Sequence, residues 1–418
     1  MGDISEPPRS PSNGRFIAPV PAAQINRVFS RCTNVASAAL HSTVLACSDD
    51  FFAAASNLLT PTAPIQRPGV FVSTGAWYDG WETRRHNPQP FDWVVIKLGV
   101  ASAVIEGIEI DTTYFVGNYG EKAALQGTYA PSVSGLSDEK IAHPQYDGWT
   151  TILPMQPCGP SQRCAWKLVD AVSPRPYTHV RLLMYPDGGF ARLRLYGHVI
   201  PPPRPSSTIR DVTSISINGG KGKGKGKWKG KEEEEEEEEE LSSALLGGLV
   251  LAASNQHFTP CSNLLLPGRG KDMGDGWETA RSRTPGHVDW AIIRLGLAGS
   301  VHRVVVDTKD FRGNFPGAIR VHGLVASSER KDDNDDDDDD DNDNNNTGPD
   351  HPGWIELVKG DKLCQADTEH VYEGDDLALV AEEKDSTTIF THVKLTLIPD
   401  GGVKRLRIFG RRQMPTYV

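Results

Sequence analysis

The sequence predicts an all-β protein of two tandem domains, each a jelly roll or β-sandwich. One reason is an internal repeat: the eight residues from Asp79 to His86 return almost unchanged from Asp275 to Ser282. The other is the local pattern, because short β-branched segments bounded by Gly and Pro recur in both halves. No long stretch shows the 3.6-residue period of an amphipathic helix. This combination is typical of antiparallel sandwiches.

The duplication extends well beyond that eight-residue box. Further motifs recur in the same order: Ser56–Leu59 with Ser262–Leu265, Asp92–Trp93 with Asp289–Trp290, Asp111–Thr112 with Asp307–Thr308, Phe115–Asn118 with Phe311–Asn314, and Thr178–Gly189 with Thr391–Gly402. We therefore predict repeat 1 over residues 25–200 and repeat 2 over residues 242–418. Each is long enough to bury a core of its own.

Near the end of each repeat, apolar and basic residues alternate on both sides of a Pro-Asp-Gly-Gly turn. In repeat 1 the turn is Pro186–Gly189, between Val180–Met184 and Ala191–Tyr196, and repeat 2 has the same pattern around Pro399–Gly402. Period-two alternation across a turn predicts a β-hairpin in both copies. Four aligned arginines are expected on one solvent-facing strand face: Arg192, Arg194, Arg405 and Arg407.

The charge of the chain is concentrated in two low-complexity tracts. The formal net charge is −11, and the Lys/Gly–Glu run at 221–240 and the Asp-rich run at 331–343 together contribute −12. The folded body is therefore close to neutral and lacks the basic face of a nucleic-acid-binding domain. Three segments cannot bury apolar surface, so we expect a disordered tail at 1–24, a disordered charged linker at 201–241, and an acidic loop insertion at 332–346.

Cysteine usage and the N-terminus bear on the compartment. The six cysteines form no CxxC pair, which predicts neither a disulfide framework nor a zinc site, and we expect no metal and no cofactor. The first 30 residues contain no apolar secretion core, and the apolar run from Ala244 to Ala253 is too short to span a bilayer. We expect a cytoplasmic protein with no nucleic-acid or membrane partner, for which a homo-oligomer is one option.

The repeated box contains two pairs of charged residues that a turn does not require. Glu82 and Glu278 can accept a hydrogen bond from an amide N–H or move a proton. Arg85 and Arg281 can bind a carboxylate through two parallel hydrogen bonds. A role in bracing the loop is an equally good interpretation of these four residues. The neighbouring Asp and Trp residues of the box fit a turn and a core position.

Four further residues complete the candidate site. His86 and His287 follow the two boxes, although they occupy different places in the alignment. Asn118 and Asn314 do align and are candidates for substrate binding, or each holds a left-handed turn after its glycine.

These same motifs resemble the allantoicase family. The resemblance rests on the Asp-Gly-Trp-Glu-Thr boxes, the Asp-Trp pairs, the Phe-x-Gly-Asn boxes and the two Pro-Asp-Gly-Gly turns, and it covers nearly all of both repeats. It implies two galactose-binding-like jelly rolls. It also implies hydrolysis of allantoate to ureidoglycolate and urea, a step of allantoin breakdown in purine catabolism. Ala280 departs from the expected pattern, since a basic residue is expected there, and this argues against two equivalent sites.

The chemistry of allantoate specifies what such a site needs. Its α-carbon carries a carboxylate and two ureido groups, so releasing urea requires a cation for the carboxylate, an acid for the leaving nitrogen and a base for water. Arg85 or Arg281, Glu82 or Glu278, and a nearby histidine meet that list, and either repeat could hold the site. The alternative function is a non-catalytic β-sandwich that binds a small ligand or carbohydrate.

Overall fold

Strands dominate both halves of the chain. The computed structural model describes residues 15–170, 175–203, 238–325, 347–378 and 388–413. Within them the α-helices are two short segments, α1 (Ile25–Val28) and α2 (Asp138–Ala142). None of the helices described is long and apolar enough to cross a membrane. The predicted all-β class with two tandem sandwiches is confirmed.

Repeat 1 is built from two main sheets. Its strands are β1 (Arg15–Val20), β2 (Thr33–Asn34), β3 (Thr43–Cys47), β4 (Phe71–Val72), β5 (Gly75–Ala76), β6 (Trp81–Glu82), β7 (Asp92–Lys97), β8 (Ser102–Asp111), β9 (Lys122–Thr128), β10 (Thr150–Pro157), β11 (Arg163–Asp170), β12 (Pro176–Tyr177), β13 (His179–Tyr185), β14 (Gly189–Phe190) and β15 (Arg192–Ile200). One sheet has the order β1-β11-β8-β15-β2, with β12 also on β8, and the other has the order β10-β9-β13-β7-β3. Strands β6 and β14 pair separately.

Repeat 2 follows the same plan with one structural difference. Its strands are β16 (Glu239–Glu240), β17 (Leu249–Ala253), β18 (Trp277–Glu278), β19 (Asp289–Asp307), β20 (Ala318–Val325), β21 (Trp354–Glu356), β22 (Lys362–Leu363), β23 (Glu369–Glu373), β24 (Phe390–Ile398), β25 (Gly402–Val403) and β26 (Arg405–Arg412). The long strand β19 spans the positions of β7 and β8. Its first part pairs with β17 and β24, and its last part pairs with β23 and β26.

The hairpin prediction at the Pro-Asp-Gly-Gly turns was wrong. In repeat 1 the turn carries the chain from β13 in one sheet to β15 in the other, so its flanking strands are not partners. In repeat 2, β24 and β26 likewise pair with different parts of β19. The final glycine of each turn pairs instead with the box glutamate, Gly189 with Glu82 and Gly402 with Glu278. Period two identified the strands correctly, but it does not reveal which sheet each one joins.

A glycine is required at the end of this turn for a steric reason. A Cβ on Gly189 would lie 2.3 Å from the Phe115 ring, and one on Gly402 would lie 2.0 Å from the Phe311 ring. Both rings are fully buried, as are Trp81 and Trp277 of the two boxes. The aromatic residues of the repeated motifs therefore pack in the core beneath the turn. This explains why these motifs recur together.

Two ordered strands lie inside segments predicted to be disordered. Strand β1 falls within the predicted tail and pairs with β11 along its whole length. Strand β16 falls at the end of the predicted linker and pairs with β26. Its acidic side chains have basic partners, since Glu239 pairs with Arg412 and Glu240 with Arg407. Composition missed these strands because edge pairing and ion pairs stabilise segments that contribute little core. Residues Ala22–Gln24 of the predicted tail also form a 3-10 helix. Residues 1–14, 204–237 and the tract at 332–346 lie outside the described residues.

The expected solvent-facing row of arginines was also wrong. Arg192 and Arg405 have fully buried side chains, because a preceding loop in each repeat covers the strand face. Arg192 donates to the Asp79 carboxylate at 2.8 Å and to the Thr62 carbonyl at 3.0 Å. Arg407 forms two 2.8 Å hydrogen bonds with the Glu240 carboxylate. The alternation of apolar and basic residues places these arginines on one face of the strand. It does not predict that a loop covers this face.

Candidate active site

The box glutamate lies where three short segments meet. Glu82, in β6, pairs with Gly189 of β14 on one side and forms an isolated bridge with Ala53 on the other. Trp81 beside it is fully buried, and its indole Nε1 donates to the Asp49 carbonyl at 2.8 Å. The backbone on both sides of Glu82 is therefore fixed, and the direction of its side chain is fixed with it.

Three of the sequence-predicted residues meet at this point in repeat 1. Asn118 Nδ2 donates to Glu82 Oε1 at 2.7 Å, and Arg85 Nη2 donates to the Gly117 carbonyl at 2.7 Å. Glu82 is 9 % exposed, whereas Arg85 is exposed. The result is a buried carboxyl group positioned by an amide, beside a guanidinium group that solvent and ligands can reach.

Burial governs the acidity of Glu82. Removal from water raises the pKa of this carboxyl group, since the charged form loses hydration. The Asn118 hydrogen bond and the positive charge of Arg85 act in the opposite direction and lower the pKa, but the net shift is upward. A carboxyl group with a raised pKa beside an exposed cation is suited to donate a proton to a bound anion.

Repeat 2 repeats the arrangement with small changes. Asn314 Nδ2 donates to Glu278 Oε1 at 2.5 Å, and Arg281 Nη2 donates to the Gly313 carbonyl at 2.9 Å. These three side chains line a cavity of about 310 Å³, together with Phe258, Thr279, Phe315, Asp400 and Gly401. Glu278 is half-buried, so its carboxyl group is more accessible than that of Glu82.

The structure accounts for Ala280. Its counterpart Arg84 forms an ion pair with Asp49, with Arg84 Nη2 2.8 Å from Asp49 Oδ1. In repeat 2 Asn255 takes the place of Asp49, and the Ala280 amide donates to Asn255 Oδ1 at 3.2 Å. The acid and the base of this pair are therefore both absent from repeat 2. Ala280 removes an ion pair outside the Glu–Asn–Arg set and leaves the hydrogen bonds of that set in place. The inequality of the two sites stays a prediction.

Comparison with known proteins decides the family. The family described as "Allantoicase repeat" matches residues 33–200 and 239–413, which covers both sandwiches. The chain is 46 % identical to the allantoicase of Neurospora crassa over 94 % of its own length and 95 % of the relative. It is 41 % identical to the allantoicase of Saccharomyces cerevisiae over 91 % of its length and 94 % of the relative.

The chain belongs to the allantoicase family. Its fold agrees, since a crystal structure of allantoicase from Saccharomyces cerevisiae aligns with a TM-score of 0.69 at 36 % identity. That alignment covers 95 % of this chain and 100 % of the solved one. The Glu–Asn–Arg sets therefore lie in the two repeats that define the allantoicase family match.

The two candidate histidines lie in different surroundings. His86 is exposed and has a left-handed backbone with φ of 61°. Its backbone amide N–H donates to Asp187 Oδ2 at 2.8 Å. His287 lies with Nε2 3.4 Å from Asp289 Oδ2 and is not among the residues that line the Glu278 cavity. Asn87 makes the matching contact in repeat 1, where its Nδ2 donates to Asp92 Oδ1 at 2.6 Å. This geometry favours a structural role for His287.

Sequence reasoning missed one pair of polar residues in this part of the allantoicase fold. Asp187 accepts from the His86 amide, and its counterpart Asp400 accepts from the Ser282 amide at 2.8 Å and lines the repeat 2 cavity. The sequence pattern places both aspartates only in a predicted hairpin turn. The sequence signal for this role is that an aspartate followed by two glycines recurs in each copy. A turn whose carboxylate must accept a hydrogen bond from a neighbouring loop tolerates fewer residues than a simple hairpin does.

Proposed function

We propose that this chain hydrolyses allantoate to ureidoglycolate and urea, with a site built on Glu82, Asn118 and Arg85 of repeat 1. Membership of the allantoicase family supports the reaction. The observation that carries the site is the repeated cluster in which a buried or half-buried glutamate, an amide and an exposed arginine meet. Turn geometry alone requires none of these charges.

Arg85 binds the carboxylate of allantoate in this proposal. Its guanidinium group is exposed, and one of its donors already holds the loop carbonyl of Gly117, which fixes its position. A planar fork of donors matches a carboxylate. Each strong charge-assisted bond contributes on the order of 1.5–3 kcal/mol.

Glu82 acts as the acid. The protonated carboxyl group gives its proton to one ureido nitrogen, and the bond from that nitrogen to the central carbon breaks, releasing urea. The lone pair of the other ureido nitrogen forms a carbon–nitrogen double bond as urea leaves. Water then adds to the central carbon and returns a proton to the Glu82 carboxylate, which gives ureidoglycolate. Burial of Glu82 favours the protonated form that the first step needs.

Asn118 positions the Glu82 carboxyl group. The remaining N–H donor and the carbonyl oxygen of its side-chain amide can form hydrogen bonds with a ureido group of the substrate. His86 is exposed beside Arg85 and is the candidate to orient the attacking water. In repeat 2, Glu278, Asn314 and Arg281 form the corresponding set. We assign that set a smaller share of the activity, because Glu278 is less buried than Glu82.

The direct test is to incubate the purified chain with allantoate and to quantify urea against a heat-inactivated control. Glu82→Gln keeps the shape and the contact with Asn118 but removes the acid, so urea release by repeat 1 should fall by roughly 10²–10⁴-fold, which leaves the share of repeat 2. Glu278→Gln is the matched control and should cost less. Urea release equal to the control would sink the enzyme proposal and leave the alternative, a binding protein, to be tested by calorimetric titration with allantoate. Wild-type kcat in both folded variants would place the acid elsewhere.

The surroundings of the enzyme are also part of the proposal. We place it in the cytoplasm, without a nucleic-acid or membrane partner, and as a candidate homo-oligomer. The presence of six free cysteines supports a reducing compartment. Fractionation of cells followed by immunodetection would test the location, and light scattering of the purified chain would test self-association.

A further inference from the structure

A second cluster of reactive side chains lies beside β2, the edge strand of one sheet of repeat 1, apart from the Glu82 set. Cys32, Glu106 and His198 place one ligand atom each within 4.8 Å of one another. Glu106 Oε1 lies 2.8 Å from His198 Nε2, and Cys32 Sγ lies 3.6 Å from Glu106 Oε2. The three residues come from three segments that are far apart in the sequence.

The backbone explains how they meet. Strand β15 pairs Tyr196 with Gly107 and Gly197 with Ile105, so Glu106 is the extra residue of a β-bulge in β8. A bulge changes the direction in which a side chain points. Strand β2 pairs with the same two residues of β15, which brings Cys32, immediately before β2, next to His198. The Cys32 amide also donates to the Phe29 carbonyl at 3.0 Å, which fixes its turn.

We propose that Cys32, Glu106 and His198 form a zinc site that fastens the segment before β2 to the sheet of repeat 1. A thiolate, an imidazole and a carboxylate are the donor types that Zn²⁺ takes, and three protein ligands leave the fourth position to water. Tetrahedral bond lengths require about 3.6 Å between sulfur and oxygen and about 3.4 Å between nitrogen and oxygen. The first matches the observed distance.

The observed nitrogen–oxygen contact is to the other carboxylate oxygen, Oε1, so binding one ion requires the imidazole and the carboxylate to shift slightly. Both side chains are about two-fifths exposed, at 41 % for His198 and 40 % for Glu106, so they can move without disturbing the core. Lys167 is the nearby cation, and its charge acts on both Cys32 and Glu106. This charge weakens the attraction for a metal ion without occupying a ligand position.

Repeat 2 supplies a matched comparison. The same register places Glu238, His302 and Arg411 at the positions of Cys32, Glu106 and His198. An arginine cannot ligate a metal, and the Glu238 carboxylate accepts from Arg303 Nη2 at 2.5 Å. Zinc binding through this set is therefore confined to repeat 1.

The test uses the full chain after metal removal. Equilibrium dialysis should show one Zn²⁺ bound through this site, with affinity lowered at least tenfold in Cys32→Ser and in His198→Ala. His302→Ala, the repeat 2 counterpart of Glu106, and Cys47→Ser, another half-buried cysteine of repeat 1, should keep wild-type affinity. Cobalt(II) identifies the ligand, since a thiolate-to-cobalt absorption band should appear in the wild type and disappear only in the Cys32 and His198 variants. The acidic tracts can bind cations through oxygen alone and give no such band.

Thermal unfolding keeps the proposal testable if a variant is less stable. Zinc should raise the Tm of the wild type and leave the Tm of Cys32→Ser unchanged. The proposal is overturned if the wild type shows no cobalt–thiolate band, or if the band and the zinc affinity survive in folded Cys32→Ser and His198→Ala.

Discussion

The two repeats share the backbone of the box and differ in the charges around it. In repeat 1 the fully buried Arg192 is paired with Asp79, and Ala191 precedes it. In repeat 2 the position of Ala191 is taken by Lys404, a second buried cation, which contacts both Asp275 and Asp310. The difference lies beneath the box and not in the Glu–Asn–Arg set above it. The duplicated fold can therefore vary its supporting charges while it keeps the Glu–Asn–Arg set that we propose as the site.

A second difference concerns how much of the glutamate is covered. Glu82 is 9 % exposed and Glu278 is half-buried, although both accept from an aligned asparagine. Met273 Sδ lies 3.3 Å from Asn314 Nδ2 in repeat 2. The same glutamate–asparagine hydrogen bond with unequal burial gives the two carboxyl groups different access to water. The repeats are therefore the natural controls for each other in the experiments below.

The largest expected effect is on stability and tests the buried ion pair between Arg192 and Asp79. Asp79→Ala leaves the guanidinium group of Arg192 buried without its carboxylate, and breaking such a pair costs about 3–5 kcal/mol of unfolding free energy. The control is Lys404→Ala, which reproduces the Ala191 of repeat 1 and should cost less, because Asp275 keeps its contacts with Arg405 and the Lys271 amide. Chemical denaturation measures both. If Lys404→Ala lost as much unfolding free energy as Asp79→Ala or more, the Arg192–Asp79 pair would not be the more important contact.

The next effect concerns substrate binding. Arg85→Ala should lower kcat/KM by tenfold or more, which is about 1.4 kcal/mol or more, because it removes the partner of the allantoate carboxylate. Arg281→Ala should be the milder of the two, since we assign the larger share of the activity to repeat 1. Steady-state urea release measures both, with circular dichroism as the check on folding. Wild-type kcat/KM in both folded variants would make the box a scaffold and move the site elsewhere.

A smaller effect follows from the raised pKa of Glu82. An acid whose pKa is higher in the folded state than in the unfolded state contributes stability below its unfolded pKa, about 4.3, and loses it as pH rises through the folded value. Glu82→Gln removes this contribution. The unfolding free energy of the wild type relative to Glu82→Gln should therefore fall as pH rises from about 4 to 7, by about 1.4 kcal/mol for each unit of pKa difference. A difference that stays constant or grows with pH would contradict the sign.

The fold and the site were not equally predictable from the sequence. The repeat markers gave two β-sandwiches because glycines and buried aromatics such as Gly189 and Phe115 must recur together for steric reasons. The grouping of Glu82, Arg85 and Asn118 was predictable only as a list. Their contact depends on β6 pairing with β14 across more than a hundred residues, and no local pattern encodes that pairing.

Other failures have the same origin. The turn at Pro186–Gly189 was read as a hairpin, although its strands join different sheets, and Arg192 was placed in solvent, although the chain around Thr62 covers it. Periodicity reports which residues share a face, but the element that covers this face is set by tertiary structure. Strand β16 was missed for a related reason, because its glutamates depend on arginines of β26.

The smallest expected effect tests whether the Arg84–Asp49 pair belongs to the site. The double variant Arg84→Ala with Asp49→Asn gives repeat 1 the residues Ala280 and Asn255 of repeat 2. Arg84 is exposed, and an ion pair between solvent-exposed side chains contributes little to stability. The asparagine can still accept from the residue 84 amide, as Asn255 does from Ala280, so the loop should keep its path. The midpoint of chemical denaturation should change little, and kcat/KM should remain at the wild-type value. A loss as large as that of Arg85→Ala would show instead that Arg84 contacts the substrate, and the missing basic residue at Ala280 would then be the reason for unequal repeats.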